Sequence, residues 1–354
     1  MNSAVVKVNN INEYIDIMSI LENGDWIFRG QQCSSWKLET KLERFVTRRK
    51  KLTMKYEERE LITSTDPKSK ILLKNLDKKY ITSYSNEYKE IQKFKQRIKK
   101  IDLSNIETLC MMQHYGAPTR LIDFSMSLGI ALFFAFEKED EQKFAKWNDL
   151  SYEEEKRAIW CINQNNIINF HIRSNKMFKA FVKEQKLSIT KDSFEEIWLR
   201  YLDFSDSYGA DNFFLKEASE HIHYTDLIDE DEAKVIPIPL IGTNDRINNQ
   251  NGTFLFPTRL DLSFRECLIS TLNSTPKVAP ICLEDLEKDK NVISVSNFKK
   301  EIKKSSNDFK IVKLIFPPEK RKDFLQLCSS FHIETSTIYP DIEGACLCVN
   351  YDIP

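Results

Sequence analysis

The spacing of apolar residues changes repeatedly along the chain, and each change predicts an element. Residues 10–22 carry apolar side chains at helical spacing behind a cap candidate, Asn10, and Asn23-Gly24 predicts the end of that helix. Trp26–Gly30 reads as a short buried strand closing on a glycine. Residues 39–62 are charged and helical in period, and Thr63–Ser69, with Pro67, breaks the pattern. Residues 86–101 form a second helical pattern with Tyr88, Ile91, Phe94 and Ile98 on one face. Leu128–Phe136 has no polar stripe, which predicts a helix buried on all sides. Glu137–Lys156 reads as a surface excursion and Ala158–Asn163 as a strand. Residues 164–234 are mainly helical and rich in aromatics. Lys234–Ile241 is extended, because prolines at alternate positions exclude helix. Asn251-Gly252 is a turn signal before a strand at Thr253–Phe256. Phe309–Phe316 predicts a strand, Glu319–Ser330 an amphipathic helix, and Ala345–Val349 a last strand. Strands separated by long helical excursions predict an α+β fold rather than a doubly wound sheet. No clean linker appears, so one elaborated domain over 1–354 is expected.

Composition narrows the classes. A chain of 354 residues with 41% hydrophobic and 30% charged residues can bury a sizeable core. A formal net charge of -1 gives no global pull toward nucleic acid or membrane. No run approaches the roughly 18 apolar residues of a membrane helix, and the first residues lack a signal-peptide pattern. A cytoplasmic protein without membrane contact is the expectation. The eight cysteines are scattered. Cys346 and Cys348 share a strand face but lack a second ligand pair, and His221 and His223 sit in an acidic stretch without further ligands at metal spacing. No metal is expected. There is no glycine-rich phosphate loop and no internal repeat.

Candidate chemistry concentrates in Leu109–Phe136, where His114, Tyr115, Thr119, Arg120, Asp123 and Ser125 lie between apolar runs. Gly116 and Pro118 break the first run, which sets these groups on a turn and a short strand. Such groups are costly to desolvate unless paired or used. Strand parity puts Asp123 and Ser125 on one face and Arg120 behind them. Arg29 has two readings: a core ion-pair partner of Asp123 or Asp341, or a planar fork holding a phosphate or pyrophosphate. Gln250 has the same two-fold reading, a backbone-satisfying amide or a contact to a ribose or base.

Several segments resemble the FRG domain family. They are Phe28-Arg29-Gly30-Gln31, Leu38–Arg44, Tyr88–Arg97, Gln113–Ser125 running on to Ala131–Ala135, Arg246–Phe254, and Lys310 to Ile338-Tyr-Pro-Asp-Ile-Glu-Gly344. Residues 46–85 and 165–234 are longer than the family pattern and are expected to be helical insertions. A second resemblance is one of order: an Arg-Gly strand, a Ser-bearing strand entering an Ala-rich helix, and a late Gln strand are similar to the ADP-ribosyltransferase scaffold. That likeness implies a mixed split β-sheet. It implies NAD as substrate, with Arg29, Asp123, Ser125 and Glu343 catalytic and Arg29, His114, Tyr115, Thr119, Arg120 and Gln250 binding. Asn249-Gln250-Asn251 stands where the scaffold has its glutamate, which makes Glu343 the carboxylate expected at an oxocarbenium-like centre.

The function expected from these resemblances is that of a bacterial effector in anti-phage defence, an ADP-ribosyltransferase-like or NAD-hydrolysing toxin. Its partners would be a nucleotide, a protein or nucleic-acid acceptor, and a phage-derived or antitoxin protein. The alternatives are a non-catalytic nucleotide- or nucleic-acid-binding module and a partner-binding sensor in a defence system.

Overall fold

A computed structural model describes residues 2–22, 26–48, 84–99, 103, 105–138, 155–174, 176–188, 196–197, 200, 233–239, 249–260, 262–273, 280–304, 309–340 and 346. The turn expected at Asn23-Gly24, His221 and His223, all but Cys346 of the strand expected over Ala345–Val349, and nearly all of the insertion expected over 46–85 lie outside these residues.

The class is α+β. The strands are β1 (Ser3–Lys7), β2 (Trp26–Gln31), β3 (Ile122–Ser125), β4 (Arg157–Asn163), β5 (Val235–Pro239), β6 (Gly252–Pro257), β7 (Val292–Ser294) and β8 (Ile311–Phe316). They form one mixed sheet in the order β5-β6-β3-β2-β4-β8-β1-β7. β1 runs parallel to both neighbours, and the other pairings are antiparallel. The ladder is continuous, whereas a split sheet was the expectation. Its weakest joint is nevertheless central: β2 and β3 share one registered pair, Phe28 with Ser125, while β2 and β4 pair over the whole of β2.

Both faces of the sheet are covered, so its strands alternate between two cores rather than between core and solvent. On one face Val6, Phe28, Ile159, Val312 and Leu314 pack beneath α1 (Ile11–Leu21), α4 (Leu128–Phe136), α9 (Val295–Lys304) and α10 (Arg321–Ser330). Val5, Ile27, Trp160, Ile162 and Ile311 face the other way, toward α5 (Gln164–Ser174), α7 (Phe264–Leu272) and α8 (Leu283–Glu287). A third cluster gathers α2 (Tyr84–Ile98), α3 (Asn105–His114) and α6 (Lys176–Glu184) over Ile236, Ile238, Phe254 and Phe256 of β5 and β6. A short α11 (Thr335–Ile338) follows α10, and residues 41–48 are also helical.

Helix α4 sits nearer the sheet than side chains normally allow. A Cβ at Gly30 would lie 2.0 Å from the Ala131 carbonyl oxygen and 2.7 Å from the Ala135 nitrogen. Glycine on the strand and alanines on the helix are therefore one feature, the contact that fixes α4 against β2. Among the described residues no helix is long and apolar enough to cross a membrane.

Candidate functional site

Beyond Phe28–Ser125 the β2–β3 ladder stops, and Arg29 reaches across the opening. Its Nη1 donates to the Asp123 carbonyl oxygen at 2.8 Å and to Asp123 Oδ2 at 3.3 Å. The carboxylate is held from its other side by Gln113, whose Nε2 donates to Oδ1 at 2.8 Å. Gln113 in turn accepts from Thr119 Oγ1 at 2.5 Å, and that hydroxyl accepts from the Leu121 N–H. Four residues thus fix one carboxylate and one guanidinium through a continuous chain of hydrogen bonds.

Local backbone chemistry explains why Gln113 is available. Helix α3 closes in a Schellman motif: Gly116 N–H donates to Gln113 O and Ala117 N–H to Met112 O, with Gly116 left-handed at φ +83°. The chain then turns back at once and delivers Thr119 beside the last turn of the helix.

A cleft of about 800 Å3 opens at this joint. Arg29, His114, Asp123, Ser125 and Gln250 all line it, together with Trp36, Arg44, Gln113, Phe134, Glu137 and Tyr339. Arg44 lies close enough to Arg29 that the second positive charge, after burial, helps push its pKa down. Its Nη1 donates to the Glu39 carbonyl oxygen at 2.6 Å. Arg29 Nε is buried and has no hydrogen-bond partner among the described residues. Two adjacent guanidiniums, one with an unused buried donor, suit a multivalent oxyanion. Across the cleft Phe134 and Tyr339 meet edge to face at 6.4 Å, and Tyr339 Oη donates to Glu137 Oε2 at 3.0 Å.

The remaining expected site residues take other places. Ser125 lines the cleft, but its hydroxyl donates to the Gln250 carbonyl oxygen at 2.8 Å and accepts from Ser127 N–H at 3.1 Å. It fixes the turn before β6, where Asn251 is left-handed at φ +42°. Thr119 is buried behind Gln113 and acts on the cleft through it. Tyr115 is 68% exposed, does not line the cleft, and meets His114 edge to face at 4.8 Å. Arg120 corrects a binding assignment. It is 1% exposed and pairs bidentately with Glu87, its Nε donating to Oε1 at 2.8 Å and its Nη2 to Oε2. Its guanidinium also lies 4.8 Å from the Phe256 ring centroid. Strand parity sends it into the third core, where it clamps α2, and no nucleotide in the cleft can reach it. Glu343 and Asp341 lie outside the described residues.

Four cleft residues escaped the sequence reading. Arg44 belongs to a charged helical stretch that carries no sign of which face is wet. Trp36 sits in a loop. Gln113 was part of the quoted motif, yet an amide next to a histidine draws no notice. Glu137 closes α4 at the negative end of the helix dipole, an unfavourable place for a carboxylate, and that mismatch was a usable signal.

No curated protein and no solved structure matches the chain. Residues 24–144, which hold β2, α3, β3 and α4 and with them Arg29, Gly30, Arg44, Gln113 and Asp123, match the family model of the FRG domain.

Proposed function

We propose that the cleft binds NAD through its pyrophosphate and cleaves the bond between nicotinamide and ribose. The chain would then act as a bacterial effector in anti-phage defence, an NAD-hydrolysing or ADP-ribosyl-transferring toxin. The observation that carries this reading is the Arg29–Arg44 pair lining the cleft, with a buried Arg29 Nε that has no partner among the described residues. A volume of about 800 Å3 is in the range of cofactor-sized sites.

In this reading Arg29 and Arg44 grip the two phosphates, and Asp123 with Gln113 holds the Arg29 fork in plane. Gln250 contacts a ribose or a base. When the C1′–N bond breaks, both electrons leave with nicotinamide, whose ring nitrogen becomes neutral. Positive charge then develops on the ribose and needs a carboxylate nearby. Glu137, oriented by Tyr339, supplies one among the described residues; Glu343 remains the sequence-based candidate. Water adds to C1′ and releases a proton, giving ADP-ribose, or a nucleophile of an acceptor adds instead.

Incubation of the purified chain with NAD and cell extract tests this directly. Nicotinamide release without labelled macromolecules means hydrolysis, and release with labelling means transfer. Saturable NAD binding without release would make the cleft a non-catalytic nucleotide site. Neither binding nor release would overturn the nucleotide reading.

A further inference from the structure

Trp36 leaves 52% of its surface in water while lining the cleft that holds Arg29 and Arg44. A large exposed ring on a loose loop would mean little, but this loop is pinned from below. Lys313, with 0% side-chain exposure, donates to Ser34 O at 2.7 Å and to Asp289 Oδ1 at 2.5 Å. Buried Arg157 donates to Gln32 O at 2.7 Å. Gln31 Nε2 donates to Lys37 O at 3.3 Å, while its Oε1 accepts from Trp160 Nε1 at 2.9 Å. Ser34 closes the set, its N–H donating to Lys156 O and its hydroxyl to Asp289 Oδ2 at 3.0 Å. Burying two cations beneath a surface loop is costly, and apolar residues would fill the same space more cheaply. What the network secures is the position of residues 32–37; Ser35, Trp36 and Lys37 are exposed there, and Trp36 is the large apolar side chain among them.

We propose that Trp36 is a stacking platform for a nucleobase, and that the cleft therefore selects a nucleobase-bearing diphosphate over bare pyrophosphate. A held indole gives up little conformational entropy on binding, and a base stacked on it removes apolar surface of both from water. The inference rests on reading the Arg29–Arg44 pair as a diphosphate grip, and it adds the side chain that takes the base of the bound nucleotide.

Calorimetry on the full chain with ADP and with inorganic pyrophosphate tests it. The wild type should bind ADP more tightly than pyrophosphate. Trp36→Ala should weaken ADP about 30-fold, which is about 2 kcal/mol at 1.4 kcal/mol per tenfold, and leave pyrophosphate unchanged. Trp36→Phe should recover most of the loss. Equal affinities of the wild type for the two ligands, no binding of either, or equal weakening of both by Trp36→Ala would each overturn the proposal. Failure of the NAD-cleavage reading looks different: ADP binding that depends on Trp36, with no nicotinamide release, leaves the platform standing.

Discussion

Replacing Gly30 by alanine tests the seating of α4 on β2 beside the cleft. The new Cβ would meet Ala131 O at 2.0 Å and Ala135 N at 2.7 Å, where ordinary contact begins at 3.4 Å. Helix and strand would have to part by about 1.4 Å, the difference between contact and the nearer approach. Both opposing atoms belong to the backbone of α4, so no side-chain rotation relieves the clash. Overpacking usually costs about 1–3 kcal/mol, and a backbone obstruction belongs at or above the top of that range. Gly129→Ala is the internal control. Its Cβ would lie 2.7 Å from Ile333 Cδ1, the tip of a side chain that can turn away. Alanine also favours helix over glycine by about 1 kcal/mol, which offsets that contact. Urea unfolding followed by circular dichroism should therefore show a loss of about 3 kcal/mol or more for Gly30→Ala and a change within about 1 kcal/mol for Gly129→Ala. Equal, small effects from both would refute the close seating of α4 on β2.

Three further outcomes follow from other parts of the molecule. Arg29→Lys keeps the charge but loses the fork, so NAD affinity should fall by about 2–3 kcal/mol while the thermal melt stays near wild type; a lowered melt with full affinity would make Arg29 a core ion-pair partner only. Glu87→Gln strands a buried guanidinium and should cost about 3–5 kcal/mol in urea unfolding without changing nucleotide affinity in the folded protein; a loss of affinity alone would return Arg120 to the site. His171 is buried and its pKa is pushed down to about 4 by desolvation, so the unfolded chain binds its proton first as pH falls. Stability tied to His171 is then complete above about pH 6.5 and is lost as pH drops toward about 4; a His171→Asn variant with an unchanged stability profile between pH 7 and 4.5 would contradict this.

Much of the fold was legible because the apolar periods are strong. β2, β4, β8 and α4 follow the expected spans within a residue or two, and α4 matches its span at both ends. Residues 318–330 begin with a 3-10 turn over Pro318–Lys320 before α10, a detail that apolar spacing does not carry. Strand order was illegible, since pairing β3 between β2 and β6 depends on contacts far apart in the chain. Buried charge was hidden for the same reason. Lys313 sits in an apolar strand and reads as a wet position, yet its acceptors come from Ser34, Leu286, Glu287 and Asp289. The partner of Arg120 lies on α2, thirty-three residues upstream, and nothing local distinguishes that clamp from a site arginine. Arg29 and Asp123 were legible as site candidates because each stands beside a glycine or a broken apolar run; the chain from Thr119 through Gln113 that fixes them was not.

Titration of NAD into the full chain, with the wild type and Arg29→Lys compared in one calorimetric experiment, tests the central claim most directly. The account predicts saturable, one-to-one binding by the wild type and a loss of roughly 30- to 150-fold in the variant, the equivalent of about 2–3 kcal/mol. No saturable binding by the wild type, or binding that Arg29→Lys leaves unchanged, would contradict it.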